Sequence, residues 1–83
     1  MDVVKEVQIV LDQILNLGER AQAFSAESPL LGAVPELDSM AVVGVITGLE
    51  ERFGFIFEDD EIDGSVFRTF GTLVDAVRAK LGA

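Results

Sequence analysis

Asp38-Ser39-Met40-Ala41-Val42-Val43-Gly44-Val45-Ile46-Thr47-Gly48-Leu49-Glu50-Glu51-Arg52-Phe53 is the stretch on which the fold turns. Its middle, Val42 to Thr47, is rich in β-branched residues and read alone suggests a strand. The period argues for a helix. Val42, Val45, Ile46, Leu49 and Phe53 recur at the spacing that gathers apolar side chains on one helical face, and Leu49 to Phe53 is built of good helix formers. Asp38 or Ser39 offers an oxygen for the orphan N–H groups of a first turn, and Gly54 closes the segment. The stretch predicts a helix from Asp38-Ser39 to Phe53.

Upstream, Val3 to Leu17 carries Val4, Val7, Leu11, Ile14 and Leu15 on one stripe, which predicts an amphipathic helix capped by Gly18. Glu19 to Leu37 is a long connection broken by Ser25, Ser28, Pro29, Gly32 and Pro35. A helical turn around Glu19–Phe24 can extend the first helix, and Phe24, Leu30, Leu31 and Val34 are expected to pin the loop to the core. Downstream, Gly54 to Gly64 is acidic, with room for one short helix over Glu58 to Asp63. A last helix is predicted over Phe70–Leu81, after Thr69, with Phe70, Leu73, Val74, Val77 and Leu81 buried. Arg78 and Lys80 stand near its C-terminus, where cations complement the helix dipole. The expected architecture is all-α: a small bundle of three main helices plus one short helix, with a long loop after helix 1. Residues 1–83 are read as a single domain, since a chain of this length holds one core.

The composition removes much of the enzyme repertoire. There are no Cys, His, Trp or Tyr residues, so Ser-His-Asp triads, His-dependent acid–base catalysis, disulfides and Cys/His zinc sites are excluded. No enzymatic activity is expected. Asp59-Asp60-Glu61 with Asp63 lacks the spacing of a calcium loop, so no metal site is expected. The early acidic residues and missing apolar h-region argue against a signal peptide. The longest mostly apolar run, Met40 to Leu49, falls far short of the roughly 20 residues of a membrane span. A soluble, cytoplasmic, monomeric protein without membrane insertion is expected. The net charge is −9, from 15 acidic and 6 basic residues. That surface repels nucleic acid and attracts proteins with basic patches. Seven acids lie between Glu50 and Asp63 against the single base Arg52, as a solvated face or as a docking surface.

Asp38-Ser39-Met40 resembles the Asp-Ser-Leu motif of acyl carrier proteins, with Met in place of Leu. Leu49-Glu50-Glu51-Arg52-Phe53 is similar to the Leu-Glu-Glu-x-Phe that ends the same helix in that family. Ile56-Phe57-Glu58-Asp59-Asp60-Glu61 resembles the acidic stretch that follows, and Thr69-Phe70-Gly71-Thr72-Leu73-Val74-Asp75 the start of the last helix. The likeness runs through nearly the whole chain and is best from Leu37 to Val77. It implies that Ser39 accepts a 4′-phosphopantetheine arm from coenzyme A through a phosphopantetheinyl transferase. The arm's thiol then carries acyl groups as thioesters for partner enzymes of fatty-acid-like or secondary-metabolite biosynthesis, with an acyl- or aminoacyl-activating ligase among them. Partner recognition falls, by the same resemblance, to Asp38, Glu50 and Glu51.

One departure stands out. Fatty-acid carriers have acidic residues in the first two turns after the serine, whereas Ala41 to Ile46 carries no charge. Met40 and Val43 are therefore read as an apolar contact patch beside the arm, suited to a dedicated partner. Pro35-Glu36-Leu37 stands where a glycine often precedes the motif, and Pro35 to Met40 is also similar to carriers associated with bacterial exopolysaccharide and exosortase systems. Gly44 and Gly48 allow a close helix approach or room for an acyl chain among Val45, Ile46, Leu49, Phe57 and Ile62. A peptidyl or aminoacyl carrier on the same scaffold and an unmodified acidic helical adaptor remain the alternative readings.

Overall fold

A computed structural model describes residues 2–58 and 61–82. It contains four α-helices, α1 (Val3–Leu15), α2 (Glu19–Gln22), α3 (Ser39–Phe53) and α4 (Phe70–Leu81), and a 3₁₀ helix, Gly64–Phe67. Among the described residues the only β pairing is an isolated bridge between Pro29 and Thr69. No helix among them is long and apolar enough to cross a membrane. The short helix expected over 58–63 falls partly on Asp59 and Asp60, outside the described residues.

Asp2 starts α1 by accepting the Lys5 N–H on its carboxylate, which satisfies one orphan donor of the first turn. The helix ends two residues earlier than its apolar pattern suggests. Asn16 takes the left-handed conformation at φ 57° and donates its N–H to the Asp12 carbonyl, a conformation Asn tolerates better than most residues. Gly18 is thus not the C-cap of α1 but the N-cap of α2, and its N–H is held by the Asp12 carboxylate at 2.7 Å. Leu17, outside the helix, is nevertheless buried.

The buried stripe of α1 is Val7, Val10, Leu11 and Leu15. Ile14, expected inside, is 41% exposed. It sits at the edge of the interface with α3, with part of its side chain against that helix. A Cβ on Gly48 would stand 3.1 Å from Val10 Cγ1, and one on Gly44 3.1 Å from Ile14 Cγ2. The Gly44/Gly48 pair lets α3 approach α1 closely and receives both Val10 and Ile14 where side chains of its own would stand. From α3, Val45 and Leu49 are fully buried, with Val42, Ile46 and Phe53 packed at the core's edge. From α4, Phe70, Leu73, Val74 and Val77 fill the centre, whereas Leu81, in the last turn, is 36% exposed.

The loop before α3 is strapped to the start of α4 by backbone hydrogen bonds. Phe70 N–H donates to the Ser28 carbonyl, Gly71 N–H to Ala26, Leu30 N–H to Arg68 and Leu31 N–H to Phe67. Gly71 is needed for this approach, because a Cβ there would stand 2.7 Å from the Ala26 carbonyl oxygen. Leu30, Val34 and Leu37 are buried, and Phe24 packs its ring on Phe70 with centroids 5.7 Å apart. Leu31, expected to pin the loop, is half exposed. The loop is thus a packed layer that delivers Leu37, and with it the start of α3, to a defined place.

Candidate functional site

Leu37 is buried and donates its N–H to the Val34 carbonyl. Asp38 follows in extended conformation and accepts the Ala41 N–H on Oδ1 at 2.8 Å. Both residues can cap a helix by chemistry, and here Asp38 does so. Ser39 is the first helical residue and lies exposed, its hydroxyl next to the unpaired N–H groups of the first turn. An anion at that position meets those donors and the positive end of the helix dipole.

Ser39 also lies on the rim of a groove of about 310 Å³. Leu31, Val42, Ile62 and Phe67 form its apolar walls, with Asp38 and Asp63 at the edge. This accounts for the exposure of Leu31, which faces the groove instead of the core. Asp63 sits below the usual carboxylate range, held there chiefly by the Ser65 hydroxyl, which donates to it together with the Ser65 N–H. These bonds set the Gly64–Phe67 3₁₀ helix and so place the Phe67 wall. Leu31 and Phe67 escape sequence reasoning because neither belongs to a periodic helical face. The one local signal was Asp63 two residues before Ser65, a short cap motif.

Four exposed residues of α3 form a line that begins beside Ser39: Met40, Val43, Thr47 and Glu51, with the exposed Arg52 turned away from it. Met40 is 81% and Val43 62% exposed. Glu50 and Glu51 have different surroundings. Glu51 faces solvent, whereas Glu50 Oε2 accepts the Phe57 N–H at 2.8 Å and fastens the segment after α3. Of the residues read as an acyl crevice, Val45, Leu49 and Phe57 are buried in the core, Ile46 is partly buried, and Ile62 reaches the groove beside Ser39. Glu36, three residues before Ser39, pairs with Arg20 of α2. The Arg20 guanidinium, donating to its carboxylate, holds Glu36 below the usual range.

No family model and no curated protein matches the chain. Among solved structures it is similar to the holo acyl carrier protein of Nitrosomonas europaea, determined in solution by NMR. The two are 51% identical over 100% of each chain and superpose with a TM-score of 0.92. Identity at this level over the full length of both chains, with the same helical bundle, establishes kinship of sequence as well as of fold. The chain belongs to the acyl carrier protein family.

Proposed function

We propose that residues 1–83 act as one carrier domain that holds acyl groups as thioesters on a 4′-phosphopantetheine arm at Ser39. The observation that carries this reading is the division of labour at the start of α3: Asp38 takes the cap, and Ser39 is exposed at the rim of the apolar groove. Ser39 Oγ attacks the pyrophosphate of coenzyme A, the adenosine bisphosphate leaves, and the transferase takes the hydroxyl proton. Ser39 therefore needs no base of its own, in keeping with a chain that lacks histidine and cysteine.

The residues at hand suit the group. The first-turn N–H groups of α3 complement a phosphodiester on Ser39. Leu31, Val42, Ile62 and Phe67 offer an apolar wall along which a flexible arm can rest. When attached, the arm supplies a terminal thiol, which the protein's own side chains lack. Its partners are a phosphopantetheinyl transferase, an acyl- or aminoacyl-activating ligase, and acyl-transferring enzymes, met in the cytoplasm by a monomeric carrier.

Intact-protein mass spectrometry tests the reading. Incubation with coenzyme A and a broad-specificity phosphopantetheinyl transferase is expected to add the mass of one phosphopantetheine to the parent chain and none to Ser39→Ala. No gain on the parent, with the transferase active on a control carrier, overturns the carrier reading and favours the unmodified acidic adaptor. A gain on Ser39→Ala overturns the site.

A further inference from the structure

The groove beside Ser39 has one wall that is held in place from both sides. Ile62 stands between two acids that are each tied down. Glu61 Oε1 accepts the Glu58 N–H at 2.7 Å and the Lys80 ammonium of α4 at 2.9 Å. Asp63 Oδ1 accepts the Ser65 N–H at 2.8 Å and caps the 3₁₀ helix that carries Phe67. Ile62 itself packs against the hydrophobic core. Behind the walls the interior is filled. Phe67, Val45 and Leu49 are buried, and Phe57 is buried with the Phe55 ring edge-on to it, centroids 4.9 Å apart. On the α1 side of α3, the space that Gly44 and Gly48 leave is taken by Val10 and Ile14. An interior packed in this way admits an inserted chain only by displacing side chains. The groove measures about 310 Å³, at the low end of the roughly 300–1,000 Å³ of small-molecule sites, and an arm on Ser39 draws on the same space.

We propose that Ile62 sets the depth of this groove and so selects the length of the cargo: short acyl groups are sheltered against Leu31, Val42, Ile62 and Phe67, and the distal methylenes of a long chain stay in water. The proposal rests on the carrier reading, with Ser39 as the modified residue. Each cargo methylene that leaves water stabilises the folded carrier over the unfolded one. Stability as a function of acyl length therefore reports how deep the cargo goes.

The test loads the full-length chain from butyryl-, octanoyl- and dodecanoyl-coenzyme A with a broad-specificity phosphopantetheinyl transferase, for the parent, Ile62→Ala and Ile62→Val. Intact mass verifies loading, and thermal unfolding of each acylated form is compared with that of its own holo form, which cancels the effect of the substitution itself. The parent's Tm is expected to rise with butyryl and then to stay level within about 1 °C through dodecanoyl. Ile62→Ala is expected to rise further, by about 4–8 °C from butyryl to octanoyl, and Ile62→Val in the same direction by less. Ile62→Val decides alone where Ile62→Ala does not fold. A parent Tm that climbs through dodecanoyl overturns the proposal, because the chain then enters the interior. A level series in every folded Ile62 variant overturns it as well, because Ile62 is then not the limit. An unmodified parent beside an active control carrier is a different result, the failure of the carrier reading itself.

Discussion

Two helix starts in this small protein use similar chemistry to opposite ends. At α4 a threonine caps and is capped in return: Thr72 N–H donates to Thr69 Oγ1 and Thr69 N–H to Thr72 Oγ1, each at 3.1 Å. The Thr72 hydroxyl spends its proton on nearby carbonyls, and the loop before α3 closes over the turn. At α3 the aspartate caps alone, and the next residue, Ser39, stays exposed beside a groove. One start is closed on itself and serves the fold. The other keeps a hydroxyl available beside unpaired N–H donors. A short polar residue before a helix does not by itself reveal which kind it is; its neighbours' hydrogen bonds do.

The largest effect that separates the two is at Ser39. Ser39→Ala is expected to abolish arm loading while changing stability by less than about 0.5 kcal/mol, as for exposed positions free of a cap role. Thr69→Val is expected to do the reverse. Loss of the reciprocal cap costs about 1–2 kcal/mol, read as a Tm fall of roughly 4–8 °C per kcal/mol, with arm loading intact once folded. Thermal unfolding beside the mass assay checks both. A stable Thr69→Val chain, or a Ser39→Ala chain with a much lower Tm, would erase the contrast.

The contrast sharpens at Glu50 and Glu51. Glu50→Ala leaves the Phe57 N–H, part-buried, without its acceptor, at an expected cost of about 1 kcal/mol. Glu51→Ala is expected to leave Tm unchanged and to slow the transferase about two- to threefold at low salt, with the difference fading as salt screens the pair. Equal behaviour of the two variants in both assays would show that the hydrogen bond to Phe57 does not divide their roles.

How far the sequence reveals this architecture differs along the chain for physical reasons. The last helix is readable to its end residues because its signals are local: Thr69 before it, Gly82 after it, and an apolar period between. The start of α3 is readable as a place, since Asp38-Ser39 precedes a periodic run, but which of the two caps depends on side-chain geometry. The end of α1 is misread because Asn16, not Gly18, takes the left-handed turn. Ile14 leaves the core for a half-exposed place against Gly44 and Gly48, glycines of another helix 30 or more positions away in sequence. The groove is hidden for the same reason: Leu31 and Phe67 meet only through the loop strapped to α4. Local rules delimit elements, and contacts between elements decide which exposed residues share a site.

The smallest expected effect lies on the loop that delivers α3. Arg20 lowers the Glu36 pKa below its ordinary 4.5 through a direct hydrogen bond. A carboxylate whose folded-state pKa is depressed stabilises the fold above its unfolded value, and that contribution disappears as pH falls through the lower folded value. Arg20 is exposed and Glu36 half-buried, so solvent screens the pair and its contribution is small. Comparing the parent with Glu36→Gln cancels the general relief of charge repulsion that acid brings to a chain of net charge −9. The parent's Tm is expected to exceed the variant's slightly at neutral pH, with the gap closing as pH drops below 4.5. A gap that persists once the carboxylate is protonated would assign Glu36 to packing instead of pairing. Because Glu36 precedes Leu37 and Asp38, loosening this pair acts first on the start of α3 and leaves the self-capped start of α4 untouched.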